Sequence, residues 1–140
     1  MKSVLRKSRI RTAESGSSMV EATLCLLGFI FLALGVMEFA MAINAYDSVA
    51  FLAREGSRYA ALHGAHSADP ASGDEVRDYV RDRSVPLSRS SVMVTTSWSP
   101  DNHPGSQVAV QVTYRISPMI NLMLKEPINV SSTSKMTISY

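Results

Sequence analysis

The chain has 140 residues with 14 Lys and Arg, 12 Asp and Glu, and a net charge of +2, which suffices for one domain or for a small domain with an anchor. Residues 1–16 hold five of the basic residues and one of the acidic residues, so residues 17–140 carry a net charge of −2. This distribution argues against a nucleic-acid-binding body, which would need a basic face of its own.

A basic leader, residues 1–16, precedes the first predicted element, a transmembrane helix over about residues 20–43. Ala22 to Met37 contain no charged residue, and only Glu38 interrupts an apolar stretch of membrane-spanning length. The basic leader predicts a cytoplasmic N-terminus and an extracytoplasmic remainder by the positive-inside rule. Cys25, the single cysteine, lies in this span and is expected to act as a small hydrophobic residue.

The helical pattern continues beyond the membrane, so residues 17–63 are predicted to form one long helix. Two neighbouring lines of small and apolar residues share one face of its second half. Small residues allow another backbone to approach closely. The pattern leaves open whether this face packs against the chain's own head or against a neighbouring subunit.

A linker over residues 64–73 is predicted to lead into a small α+β head, residues 74–140. Ser72 and Glu75 have the spacing of a capping box at the start of a short amphipathic helix, which Pro86 ends. The expected fold is therefore α+β, in which a long N-terminal helix, transmembrane in its first half, carries a small antiparallel sheet and one packed helix.

Three strands are predicted from residues that alternate with a period of two. The alternating apolar series are Val92 to Trp98, Val108 to Ile116, and Ile128 and Val130 with Met136 to Tyr140. Residues 99–105 are predicted to form the hairpin loop between the first two strands. The stretch "MINLML" after Pro118 is expected to form a helical turn on the sheet.

Gly16 followed by Glu21 at the start of the apolar run resembles a class III signal sequence, the site cut by prepilin peptidases. The resemblance implies cleavage after Gly16, which leaves Ser17 as the new N-terminus and the apolar helix on the mature protein. It also implies that Glu21 pairs with the N-terminal amine of an adjacent subunit and sets the register of assembly. Such pairing offsets the cost of a carboxylate near the bilayer.

A longer stretch resembles the TadE-like family of pseudopilins from tight-adherence (Tad/Flp) pilus systems. Its members show a Glu-Phe pair at the end of the apolar helix, here Glu38 and Phe39, and a later "AREGARYA" signature. The corresponding eight residues here are "AREGSRYA" (53–60), with Ser57 as the one substitution. The signature residues expected to matter are Arg54, Glu55, Gly56, Arg58 and Tyr59.

The resemblance implies a minor pilin or pseudopilin that acts in the assembly or initiation of a Tad-type pilus or related secretion apparatus. The implied partners are a prepilin peptidase, other pilins through helix packing, an inner-membrane assembly platform and membrane lipid. The expected location is the bacterial inner membrane as a single-pass protein, with the head outside, and a cell-surface filament after assembly. No enzymatic activity and no cofactor are implied.

The three histidines, His63, His66 and His103, do not have the spacing of a metal site, because His103 lies in a separate loop. No spacing suggests a catalytic triad or a pair of catalytic carboxylates. We therefore expect no metal and no catalytic residue.

Three alternatives remain open from the sequence. The chain could be a single-pass signal-anchored envelope protein whose head binds a partner without prepilin processing. It could be an exported soluble domain, because Ala40-Met41-Ala42 resembles a signal peptidase site. A membrane-tethered metal hydrolase would require the histidines to converge.

Overall fold

A computed structural model describes residues 10–85, 87–117 and 127–139, with the side chains of the first helix described from Gly16 onward. Its elements in chain order are α1 (Ile10–Leu62), α2 (Gly73–Asp82), a 3₁₀ turn (Arg89–Ser91), β1 (Val92–Ser99), β2 (Gln107–Ile116) and β3 (Ile128–Thr137). The predicted α+β fold, a long helix with a small antiparallel sheet and one short helix, is confirmed. The predicted turn "MINLML" and Pro86 lie outside the described residues.

The chain forms two compact units, an N-terminal unit (Met1–Phe39) and a C-terminal unit (Ala40–Tyr140). Helix α1 begins at Ile10, so its first residues belong to the predicted leader. Between Gly16 and Leu62 it contains an 18-residue window with a mean hydropathy of 2.3. By length and composition, α1 is therefore able to cross a membrane.

The sheet of the C-terminal unit is an antiparallel meander in the order β1-β2-β3. Val112 lies at its centre, opposite Val94 on β1 and Ser132 on β3. Burial alternates along β1 and β2 as predicted, because successive side chains of a strand point to opposite faces. Val108, Val110 and Val112 are fully buried, so one face of the sheet is the core face.

Strand β3 differs in detail from the predicted pattern. It is one continuous strand, and the apolar residues near its ends, Ile128 and Met136, are 41% and 44% exposed. Ser132 and Ser134 occupy the central core-facing positions, between the apolar residues Val130 and Met136. Small polar side chains fit here because Ser57 of α1 lies against the middle of this strand, within hydrogen-bond distance of Ser134.

The core of the C-terminal unit is shared by α1, α2 and the core face of the sheet. Its helical members are Val49, Leu52, Ala53, Ala60 and Ala61 of α1 and Val76 and Val80 of α2. Complete burial of one Val or Leu side chain contributes about 1.5–3 kcal/mol, so the last turns of α1 are a substantial part of this core.

Helix α2 begins at the predicted capping box. The backbone N–H of Glu75 donates to Ser72 Oγ, and the backbone N–H of Ser72 donates to Glu75 Oε2. Residues 64–73, predicted as a linker, are tied to the C-terminal unit by backbone hydrogen bonds from Ala65 to Asn102 and from Ala71 to His63.

Candidate functional site

The predicted site residues fall into two groups, one in each unit. Gly16, Ser17 and Glu21 lie on α1 in the N-terminal unit, and all three are exposed. Glu38 is half-buried and Phe39 is 68% exposed. The signature residues 54–59 lie in the C-terminal unit, where Glu55, Gly56 and Tyr59 contact α2. Arg54 and Arg58 are exposed, and Arg58 contacts Glu55 on its own helix.

Gly56 allows α1 to approach α2 and the sheet closely. A Cβ atom at this position would lie 2.7 Å from Val80 Cγ2 and 3.1 Å from Val110 Cγ1. The first distance is shorter than a normal carbon–carbon contact, and both valines are fully buried. The glycine is therefore needed for packing at this crossing, where no side chain would fit without movement of the core.

Glu55 is held by two donors, one from each helix. Its Oε1 accepts a hydrogen bond of 2.9 Å from Arg58 Nη2 and one of 3.0 Å from the Tyr79 hydroxyl. These bonds lower the pKa of Glu55 below its ordinary value, and the bond from Arg58 has the larger effect. Burial raises the pKa of Tyr79, and the hydrogen bond to Glu55 raises it further.

A stack of rings continues this contact along the two helices. Tyr59 lies between His63 and Tyr79, with ring centroids 4.1 Å and 3.9 Å away. The guanidinium carbon of Arg83 lies 3.8 Å from the centroid of the Tyr79 ring, within the range of a cation–π interaction. We call Glu55, Gly56, Arg58 and Tyr59, with Tyr79, Val80 and Arg83, the α1–α2 contact.

Ser57 extends the signature toward the sheet. It is 1% exposed, and its hydroxyl lies 2.8 Å from Ser134 Oγ and 3.0 Å from the carbonyl oxygen of Arg54. The position at which this chain departs from the family signature thus contacts a serine 77 residues later in the chain.

The hydrogen bond and the ring stack at the α1–α2 contact hold the two helices together. A carboxylate with a lowered pKa, held by Arg58 and a tyrosine, is a poor general base near neutral pH. Over residues 10–85, 87–117 and 127–139, no three His, Cys, Asp or Glu side chains form a group that could hold a metal ion. The contact therefore orients α2 on α1.

The partners of the signature are not identifiable from the sequence. Helical periodicity puts Tyr79 and Arg83 on the same face of α2 as Val76 and Val80, which indicates the face but not the residues opposite. Ser134 gave no signal at all, because a serine among other Ser and Thr residues in a strand has no distinctive spacing.

Comparison with known proteins supports the resemblance over the first part of the chain. Residues 16–58 match the family model described as TadE-like protein. This confirms the resemblance to the TadE-like family for a segment that contains Gly16, Glu21, Glu38 and most of the signature. No curated protein and no solved structure matches the chain.

Proposed function

We propose that this chain, whose residues 16–58 match the TadE-like family, is a membrane-anchored structural subunit for the assembly or initiation of a Tad-type pilus or related secretion apparatus. The family match carries the proposal, and the apolar window of α1 supports a single-pass anchor. Its work in this proposal is assembly rather than catalysis. The proposed location is the bacterial inner membrane, with a cytoplasmic N-terminus and the C-terminal unit outside.

Processing after Gly16 is the first step of the proposed mechanism. A prepilin peptidase removes the basic leader and leaves the amine of Ser17 as a positive charge at the start of the helix. Glu21 follows Ser17 by four residues, so both lie on the same side of α1, and both are exposed. Each subunit can thus offer its amine to one neighbour and its carboxylate to another.

The pairing of Glu21 with a neighbour's amine is the second step. A carboxylate within or near a bilayer is costly unless it has a partner, so an unpaired Glu21 favours association with a copy or relative that supplies a cation. The proposed partners are other pilins or pseudopilins and an inner-membrane assembly platform, with membrane lipid around α1 before assembly.

The signature residues stabilise the C-terminal unit in this proposal. Glu55, Gly56 and Tyr59 hold α2 on the last turns of α1, and Ser57 lies against β3. These contacts keep the surface of the C-terminal unit in one arrangement for its partners. The proposed role of the signature is therefore positioning within the subunit.

The decisive experiment determines the N-terminus and intact mass of the protein from native membranes. A chain that begins at Ser17 supports the proposal. An intact Met1 start would favour a signal-anchored protein without prepilin processing, and a start near Ile43 would favour an exported soluble domain.

A matched pair of variants sharpens this measurement. Gly16→Leu is expected to block processing, whereas Gly28→Leu is expected to leave it unchanged. A Cβ atom at either glycine has no described atom within 4 Å, so neither substitution disturbs packing within the subunit. Equal processing of the two variants would contradict recognition of Gly16.

A further inference from the structure

Two loops that are far apart in sequence meet at one end of the C-terminal unit. The backbone N–H of Ala65 donates a hydrogen bond of 2.8 Å to the carbonyl oxygen of Asn102. This contact brings the rings of His66 and His103 to a centroid distance of 5.4 Å, with an interplanar angle of 90°. His66 and His103 lie in separate loops of the sequence, and the contact between the loops brings them together.

The spacing of the two rings suits a shared metal ion. Two imidazoles that bind one tetrahedral Zn²⁺, each with a Zn–N distance of about 2.0–2.1 Å, have ring centres about 5 Å apart. The observed separation of 5.4 Å is close to this value. Both rings are exposed, so an ion has access to them from solvent.

Asp101 gives His103 the partner that metal-binding histidines usually have. Its Oδ2 lies 3.2 Å from Nδ1 of His103, which leaves Nε2 of this ring as the nitrogen available to an ion. Its Oδ1 accepts hydrogen bonds from Ser106 Oγ at 2.6 Å and from the backbone N–H of His103 at 3.1 Å. The carboxylate is therefore fixed, and it fixes the orientation of the ring.

We propose that His66 and His103 bind a divalent cation of the Zn²⁺ class, with Asp101 as the partner of His103 and water as the remaining ligands. Imidazole nitrogen is a preferred ligand of Zn²⁺, Ni²⁺ and Cu²⁺, whereas Mg²⁺ prefers oxygen. Because the site has two protein ligands, the ion exchanges readily and ties the loop after α1 to the β1–β2 loop.

Isothermal titration of the full chain in detergent with ZnCl₂ tests this site. One Zn²⁺ per chain is expected to bind, while MgCl₂ gives no binding heat above the detergent blank. His66→Gln and His103→Gln are each expected to weaken Zn²⁺ binding by at least ~10-fold, and Asp101→Asn by about 10- to 100-fold.

His63→Gln is the matched control, because this third histidine stacks on Tyr59 and is outside the pair. It is expected to leave Zn²⁺ affinity unchanged. Circular dichroism of each variant verifies that the fold is retained, as expected for the exposed His66 and His103. Undiminished Zn²⁺ binding by the double variant His66→Gln/His103→Gln, or no binding by the unaltered chain, would overturn the proposal.

Discussion

The hydroxyl of Tyr79 donates a hydrogen bond of 3.0 Å to Oε1 of Glu55, which joins α2 to α1 across 24 residues of sequence. The same oxygen accepts from Arg58. An acidic residue of the signature is thus used inside the C-terminal unit, where Arg58 of its own helix balances its charge and its second bond is to the neighbouring helix.

Tyr79→Phe is expected to lower the free energy of unfolding of the C-terminal unit by about 0.5–1.5 kcal/mol, the usual net value of one hydrogen bond. The ring stack on Tyr59 is retained, so the change isolates the hydroxyl. Urea unfolding can be followed by the fluorescence of Trp98, the single tryptophan. Tyr46→Phe is the control, since Tyr46 is 54% exposed and its loss of a hydroxyl should change stability little.

Stability is expected to fall in acid through Glu55 and Glu75. Hydrogen bonds from Arg58 and Tyr79 lower the pKa of Glu55, and bonds from the backbone and side chain of Ser72 lower that of Glu75. A lowered folded-state pKa gives stabilisation that is complete above the unfolded value, about 4.5, and is lost as pH falls through the folded value.

The measurement is the urea midpoint between about pH 7 and pH 3, a range that brackets the ordinary carboxyl pKa. Glu55→Gln should make the fall of the urea midpoint in acid less steep. Part of that fall should remain, because Glu75 of the capping box is unchanged. An identical pH profile for the variant and the unaltered chain would show that Glu55 is not responsible. At alkaline pH the raised pKa of Tyr79 predicts the opposite sign, with stability lost as pH rises above about 10.

Gly56→Ala is expected to destabilise the C-terminal unit by about 1–3 kcal/mol, because the new methyl group overpacks the contact with Val80 and Val110. Alanine favours a helix over glycine by about 1 kcal/mol, which offsets only part of this cost. Gly73→Ala is the control in the same unit. Its Cβ atom would lie 3.6 Å from the Trp98 ring, an ordinary contact, so its Tm should be unchanged or slightly raised.

Ser57→Ala is expected to cost about 1–3 kcal/mol, because it leaves the Ser134 hydroxyl without its partner on α1. Ser57→Ala with Ser134→Ala removes both hydroxyls and should be closer to the unaltered chain than either single change. A double-mutant cycle measured by urea unfolding tests this coupling. Strictly additive losses would show that the two serines do not support each other.

Glu21→Ala is expected to leave membrane insertion intact and to impair assembly into filaments or their initiation complexes. Insertion depends on the apolar window of α1, whereas pairing with a neighbour's amine depends on the carboxylate. Membrane fractionation and surface-filament assays separate the two effects. Thr23→Ala is the control, since its hydroxyl bonds to the carbonyl of Met19 in the same helix. Normal assembly by Glu21→Ala would count against the pairing mechanism.

Much of the fold follows from patterns within single elements. The period-two alternation of β1 and β2, the apolar run of α1 and the capping box at Ser72 each express a local rule, and each agrees with the structure. The series of β3 was less informative, because serines occupy its central core-facing positions.

The contacts between elements could not be predicted in the same way. A helical pattern shows which face is apolar but not what lies opposite, so Glu55–Tyr79 and Ser57–Ser134 required the tertiary structure. The pair of His66 and His103 depends on a backbone contact between two loops, for which residue spacing carries no signal.

The position of the first buried residue determines how this protein can be shortened. From Gly16 onward, Ala45 is the earliest residue of α1 that is buried, and Val49, Leu52 and Ala53 follow it in the core. A recombinant fragment for crystallography that begins at the predicted head, residue 74, would expose valines of the sheet and aggregate. A fragment that begins at about residue 40 retains every buried α1 side chain that the structure describes and is expected to keep its fold.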